Sequence, residues 1–225
     1  MKAMILAAGR GERMRPLTDS KPKPLLKLAD KALIEYCLEN LVAAGFVDIV
    51  INVAYLGHQI IEYCGDGSRW QASIQYSDEG QTALETAGGI AKALPLLGDS
   101  PFLVVNADIL FDYPLASLRK RSIELAHLVL IDNPPHHPQG DFCLQETGFL
   151  SEQGAQKLTF SGIGVYDPAL FAEVKVGQAL KLRPLLQQAM RMGKVSGEYF
   201  GGLWCDIGTP QRLQEVAGSL ELSAY

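Results

Sequence analysis

No apolar run in this chain approaches the ~20 residues that a bilayer-spanning helix needs, and no small-residue cleavage site follows the short apolar run after Met1-Lys2. Neither a membrane anchor nor a secretory leader is therefore expected. Surplus positive charge is missing too. Twenty Lys and Arg stand against 25 Asp and Glu, a formal net charge of −5. That leaves no excess cation for a long phosphate backbone and excludes a general nucleic-acid binder. Cysteine is sparse: Cys37, Cys64, Cys143 and Cys205 are scattered, with no C-x-x-C pair. This argues against a zinc site and for reduced thiols packed as small hydrophobes. Together these absences predict a cytoplasmic protein with neither membrane nor nucleic-acid partner. Internal repeats, low-complexity tracts and linkers are also lacking, so 225 residues at 48% hydrophobic content read as a single domain with a sizeable core.

What the chain does have is concentrated near its start. The apolar residues Ala3 to Ala8 stop abruptly at Gly9. Gly11, three arginines (Arg10, Arg13, Arg15) and two lysines (Lys21, Lys23) follow, set among Pro16, Pro22 and Pro24. This is a buried strand emptying into a glycine-rich cationic loop. Glycine lets backbone N–H groups approach phosphate oxygens, and arginine forks and lysine charges neutralise them. A local cation cluster inside an acidic protein suits a small phosphorylated ligand. The loop is not a P-loop, because no G-x-x-x-x-G-K-[ST] is present. Nor is it a dinucleotide fingerprint, because Gly9-x-Gly11 lacks the third glycine.

Periodicity places strands over 3–8, 48–53, 72–76, 101–106, 127–132, 195–200 and 203–208. Short antiparallel strands are expected over 142–144, 149–151, 157–160 and 162–166. Helices are expected over 32–44, 58–64, 86–97 (with Thr86 as N-cap), 115–126, 168–174, 182–192 and from 209 or 210 to 216. The opening βαβαβ order predicts an α/β fold with a mostly parallel sheet covered by helices on both faces. Residues 1–125 are expected to serve mainly as the nucleotide-binding part, and 126–225 as a smaller lobe laid on the sheet.

Two isolated carboxylates follow strand ends. Asp108 lies past V-V-N-A, and Asp206 lies in W-C-D-I-G-T-P. Either could be a cap or turn aspartate. If they converged beside a triphosphate they would suit Mg²⁺, which takes few protein oxygens plus phosphate and water. His136-His137 invites a metal, but adjacent residues seldom share one site, and a surface or substrate-loop role is expected. Lys157, Lys175, Lys181 and Arg183 read as solvated, and Trp204 as core.

The stretch L-A-A-G-R-G-E-R-M-R-P-L-T-D-S-K-P-K-P-L resembles the signature of the sugar-1-phosphate nucleotidylyltransferases. L-E-T-A-G-G-I (84–90), V-N-A-D (105–108), F-S-G-I (160–163) and W-C-D-I-G-T-P (204–210) agree with that family in order. The resemblance implies a Rossmann-like sheet with a small antiparallel sugar-binding lobe. It also implies a Mg²⁺-dependent reaction of an NTP with a sugar 1-phosphate to give NDP-sugar and pyrophosphate. It places the nucleotide on Leu6, Ala7, Ala8, Gly9, Gly11, Arg13, Lys23, Gly80, Gln81, Thr86, Gly88 and Asn106, with Arg13 and Lys23 catalytic. Mg²⁺ falls to Asp108 and Asp206, and the sugar phosphate to Glu85, Asp141, Ser161 and Gly162. The chain departs from the family in having Glu85 where a glycine is common. At the place of a base-reading Gln it has Gly80, with Gln81 next, so backbone contacts are expected to share in reading the base. No C-terminal β-helix is present, so no acetyltransferase activity and a monomer are expected. Length, L-E-T and D-N-P-P-H-H-P-x-G-D-F most resemble the branch that uses UTP and N-acetylmuramate 1-phosphate in cell-wall recycling. The alternatives are mannose-1-phosphate guanylyltransferases, short cytidylyltransferases acting on phosphocholine or heptose phosphate, and a non-enzymatic nucleotide-sugar sensor.

Overall fold

The structure, a computed structural model, describes residues 1–154 and 156–222. The chain begins with strand β1 (Ala3–Leu6). After the cationic loop, the short pair β2 (Lys27–Leu28) and β3 (Lys31–Ala32) leads into helix α1 (Leu33–Ala43). Then come β4 (Asp48–Val53), α2 (Gly57–Cys64), β5 (Ser73–Asp78), α3 (Glu85–Leu97), β6 (Phe102–Asn106), β7 (Ile109–Phe111) and β8 (Ala126–Ile131). The second half adds β9 (Cys143–Leu144), β10 (Leu150–Ser151), β11 (Thr159–Tyr166), α4 (Leu182–Arg191), β12 (Val195–Tyr199), β13 (Trp204–Asp206) and α5 (Pro210–Leu222).

Seven strands form the central sheet in the order β12-β8-β11-β6-β1-β4-β5. The pairs β6–β1, β1–β4, β4–β5 and β12–β8 are parallel, and β11 alone runs against its neighbours β6 and β8. Two-residue periodicity decides the layers. In β1, Ala3 and Ile5 join the core under α1 and α2, while Met4 joins the core under α3 and α4. All three are fully buried, and burying an Ile or Met side chain contributes about 1.5–3 kcal/mol. A third, smaller core of Met14, Leu26, Leu28, Leu33, Leu110 and Ile207 ties the cationic loop to β7 and the chain after β13, with α5 packed on it. The α/β, mostly parallel, Rossmann-like expectation is met. The small antiparallel elements are the pairs β9–β10, β7–β13 and β2–β3.

Several local expectations fail. The helix expected over 115–126 is a single 3-10 turn, Leu115–Leu118. Apolar spacing ends at Leu118, and the next cations are drawn elsewhere: Arg119 over the Phe46 ring and Arg121 to Glu198. The turn at 168–174 is likewise only Pro168–Phe171. The two strands expected over 157–160 and 162–166 are one strand, β11, whose register shifts between Phe160 and Gly164, with Gly162 at φ +84°. β7 was not foreseen, because three residues give no readable period. Thr86 is not the N-cap of α3; that place is Leu84.

One buried polar cluster has a measurable consequence. His127 on β8 is 3% exposed. Its Nδ1 lies 2.8 Å from Ser196 Oγ and its Nε2 lies 3.3 Å from Glu198 Oε2. Glu198 also accepts from Tyr113 and pairs with Arg121. Burial pushes the imidazole down to about 4, and the Arg121 charge adds to the shift. The unfolded chain therefore binds a proton below about pH 6.5 that the folded chain refuses until about pH 4. Stability should be complete above about pH 6.5 and fall by up to about 3 kcal/mol towards about pH 4. Denaturant unfolding of the wild type and His127→Phe across this range checks it: the variant should show a flatter dependence.

Candidate active site

The parallel strands β1, β4, β5 and β6 end on one edge of the sheet, the edge where ligands bind in open α/β folds. Two features hold this rim together. Asn52, 3% exposed at the end of β4, accepts from the Ala7 N–H at 2.8 Å and donates to Glu79 Oε1 at 2.6 Å. Glu79, 7% exposed after β5, accepts from the Leu84 N–H at 2.6 Å through its other oxygen. One polar chain thus fixes the strand end at Ala7 and the entry to α3. These groups are buried, so each bond matters: leaving such a group unpaired costs about 1–3 kcal/mol.

The cationic loop folds back on itself. Gly11 has φ +70°, and a Cβ there would lie 3.1 Å from Lys23 Cβ and from Thr18 Cγ2. Its carbonyl accepts from Met14 N–H and Thr18 Oγ1, both at 2.9 Å. Met14, fully buried, anchors the loop in the small core beside Leu110 and Ile207. Lys23 is held between Pro22 and Pro24 in a 3-10 turn and is 9% exposed. Its ammonium ion-pairs with Asp108.

The backbones at Asp108 and Asp206 are neighbours. In the antiparallel pair β7–β13, Asp206 stands opposite Ile109. The Ile207 N–H also donates to the Asp108 carbonyl at 2.8 Å. Each carboxylate holds a cation: Lys23 on Asp108, and Arg212 Nη1 at 2.5 Å on Asp206 Oδ2. His136 Nε2 lies 3.1 Å from Asp206 Oδ1, while His137 Nε2 lies 3.3 Å from Asp141 Oδ1. The two adjacent histidines therefore serve different carboxylates. A Cβ on Gly208 would meet Asp206 Oδ2 at 3.0 Å and Arg13 Nη2 at 3.5 Å. Arg13, Lys23, Asp108 and Gly208 therefore surround one hollow of about 270 Å³ with Gly9 and Gly11 on its wall. Two carboxylates with displaceable cations and open space beside them are the donor set Mg²⁺ takes with phosphate and water oxygens.

A cavity of about 390 Å³ adjoins this hollow, lined by Leu6 to Gly9, Lys23, Asn52, Glu79, Glu85, Thr86, Asn106 and Asp108. A second, of about 310 Å³, shares Leu6, Glu85, Thr86 and Asn106 with it and adds Asp141, Phe142, Phe160, Gly162, Tyr166, Lys181 and Arg183. Most of the expected site residues meet here. Four groups do not. Asp206 lines a separate hollow with His136, Trp204 and Arg212. Gly88 packs α3 against the chain beyond it, where a Cβ would lie 2.2 Å from the Gln178 carbonyl oxygen. Gly80 and Gln81 line a neighbouring hollow with Tyr55, His58 and Asp78. The Ser161 hydroxyl is buried and spent on the Val129 carbonyl at 2.7 Å. It is the next residue, Gly162, that leaves room, since a Cβ there would lie 2.5 Å from Asn106 Nδ2. Sequence reading passed over Asn52, Glu79, Gly208 and Arg212; Lys181 and Arg183 are exposed, as expected, and they also border the second cavity. Asn52 alone carried a signal: it is a polar residue inside the apolar run D-I-V-I-N-V.

Glu85 is a backbone outlier. It opens α3 with φ +59° and lines both cavities. Positive φ in a non-glycine residue costs of order 1–3 kcal/mol, and an acid in the first helical turn recovers only about 0.3–1 kcal/mol. Its position is also where the family pattern commonly has glycine. Glu85→Gly should therefore stabilise the fold by about 1 kcal/mol in denaturant unfolding.

Residues 2–222 match the family pattern described as "Nucleotidyl transferase". The chain is 52% identical over 223 residues to an N-acetylmuramate alpha-1-phosphate uridylyltransferase of Neisseria meningitidis, covering 96% of each. It is 34% identical over 224 residues to a protein of the same name from Caulobacter vibrioides, covering 93% of this chain and 92% of that one. A mannose-1-phosphate guanyltransferase of Aspergillus oryzae is 29% identical over 94% of this chain and 62% of its own. Among solved structures, one from Bacillus anthracis, provisionally described as a glucose-1-phosphate thymidylyltransferase and solved with sucrose, shares the fold. Its TM-score is 0.81 at 21% identity, covering 97% of this chain and 94% of its own. A cation-lined loop, two aspartates on neighbouring backbone and a doubled cavity at the strand ends agree with these likenesses: the chain belongs to the nucleotidyl transferase family.

Proposed function

We propose that this chain transfers the uridylyl group of UTP to N-acetylmuramate α-1-phosphate, forming UDP-N-acetylmuramate and pyrophosphate. What carries this reading is the 52% identity over 96% of both chains to a protein of that activity. The geometry supports it with two confluent cavities, one for the donor and one for the acceptor, meeting at Leu6, Glu85, Thr86 and Asn106.

Donor and acceptor are both anions, and their repulsion is the main obstacle. Arg13 and Lys23 offset it by holding phosphate oxygens, and Gly9 and Gly11 let the backbone come close. Lys23 stands at the junction of the phosphate hollow and the larger cavity, where charge develops on the α-phosphate. Asp108 and Asp206 would hold Mg²⁺. That ion supplies charge neutralisation to the phosphates when bound. An oxygen of the acceptor phosphate attacks the α-phosphorus in line. The new P–O bond forms as the bond to the pyrophosphate oxygen breaks, and pyrophosphate leaves with the electron pair. The attacking oxygen is already ionised, so no general base is required, and positioning and electrostatics carry the reaction.

In this proposal the nucleotide sits on Leu6, Ala7, Ala8, Gly9, Gly11, Arg13, Lys23, Thr86 and Asn106, with the base towards Asn52, Glu79 and the turn at Gly80 and Gln81. The sugar phosphate sits on Glu85, Asp141 and Gly162. Residues 1–125 supply mainly the nucleotide side and 126–222 mainly the acceptor side; 223–225 lie outside the described residues. The protein acts as a monomer in the cytoplasm, where UTP is available, and returns a cell-wall sugar to a nucleotide-activated form. No helix among the described residues is long and apolar enough to cross a membrane, and all four cysteines are free thiols.

Pyrophosphate release with Mg²⁺, each of four NTPs and a panel of sugar 1-phosphates tests the reading. UTP with N-acetylmuramate 1-phosphate should be fastest, and a preference for GTP with mannose 1-phosphate would replace the substrate assignment. Asp108→Asn and Asp206→Asn should each lower turnover by at least about 10²-fold while far-UV circular dichroism stays that of the wild type. Full activity in either variant removes that residue from the metal site.

A further inference from the structure

We infer that Lys181 and Arg183 read a carboxylate on the acceptor sugar, a second anionic group beyond the phosphate that attacks. The inference rests on the acceptor assignment above and names the residues that make it selective. N-acetylmuramate differs from N-acetylglucosamine by a lactyl ether on the 3-oxygen, and that ether ends in a carboxylate.

The placement of the two cations sets them apart from the transfer chemistry. Lys23 and Asp108 line the first cavity and the phosphate hollow, and Lys181 and Arg183 line the second cavity. The attacking phosphate must lie where the cavities join, at Leu6, Glu85, Thr86 and Asn106. Lys181 and Arg183 therefore face the part of the acceptor away from its phosphate. Both cations are exposed at the mouth of the cavity, and the wall beside them is largely apolar, made by Phe142, Phe160, Tyr166 and Leu186.

Their partners within the chain leave them available. Lys181 makes no ion pair or side-chain hydrogen bond among the described residues. Arg183 lies across the Phe142 ring with its centroid 5.8 Å away, and 3.6 Å from Asp141. Asp141 is already engaged, accepting from the Phe160 N–H at 3.0 Å and lying 3.3 Å from His137. The local helix offers the cations no support. Lys181 is the N-cap of α4 and Arg183 stands in its first turn, where no acid is present. Positive charge at that end opposes the helix dipole. Cations kept at a position the fold disfavours are accounted for by an incoming anion.

The test compares two acceptors on the full-length protein: N-acetylmuramate 1-phosphate, and N-acetylglucosamine 1-phosphate, which lacks the lactyl group. Dissociation constants are measured by titration calorimetry for the wild type, Lys181→Met, Arg183→Met and the double variant. Losing charge-assisted hydrogen bonds should cut the preference for the lactyl-bearing acceptor about 10–100-fold in the double variant. The effect should fall on KM far more than on kcat. Arg183→Lys should keep part of the preference, and melting midpoints should not fall, since two cations leave a helix N-terminus. A wild-type preference that survives in the double variant overturns the inference alone. A wild type that binds N-acetylglucosamine 1-phosphate as well or better overturns the acceptor assignment, and this inference with it.

Discussion

The rest of the site depends on the short antiparallel pairing of Ile109–Phe111 with Trp204–Asp206. It is three residues long, yet it sets two aspartates from distant parts of the chain side by side at the end of a parallel sheet. Like charges so placed repel, and the fold meets that cost with a lysine on one and an arginine on the other. The lysine comes from the cationic loop and the arginine from α5. The pairing therefore draws the first loop, the middle of the sheet and the last helix to one point. The small core of Met14, Leu110 and Ile207 lies directly beneath and keeps the three from separating.

This arrangement explains how an acidic protein handles polyanions. Its positive charge is not spread over the surface. It is focused on Arg13 and Lys23 around one hollow, with Arg212 nearby, and Asp108 and Asp206 hold Lys23 and Arg212 in place. Strain is concentrated nearby as well. Glu85 occupies a left-handed backbone conformation at the seam between two cavities, where a side chain can face both donor and acceptor. Such local cost at a seam is what a site retains when position matters more than stability.

The fold was largely legible because its signals are long and periodic. Apolar strands such as Asp48–Val53 and the amphipathic helix Leu33–Ala43 lie within one residue of the expected limits. Legibility ended where structure is short or decided by partners. The turn at Leu115–Leu118 shows no helix beyond it because Arg119 and Arg121 find partners elsewhere. β7 is too short to show a period. In the site, glycines and cations next to a strand end announced the phosphate loop. Ser161 misled, since its hydroxyl faces the sheet, and Gly88 proved to be a packing residue. Lys181 and Arg183 are exposed as their sequence suggests, but nothing near them in sequence reveals the cavity they border.

By itself, then, the sequence determined the α/β layering, the cationic loop after β1 and the class of ligand that loop suits. Each rests on local chemistry: two-residue alternation, glycine's backbone freedom, and charge density over a few residues. Only the tertiary structure decided which aspartates become neighbours, which polar residues are buried as struts and which cations border the second cavity. Those relations join residues far apart in the chain. Strand order and the β7–β13 register create them, and composition and spacing along the chain contain no record of either.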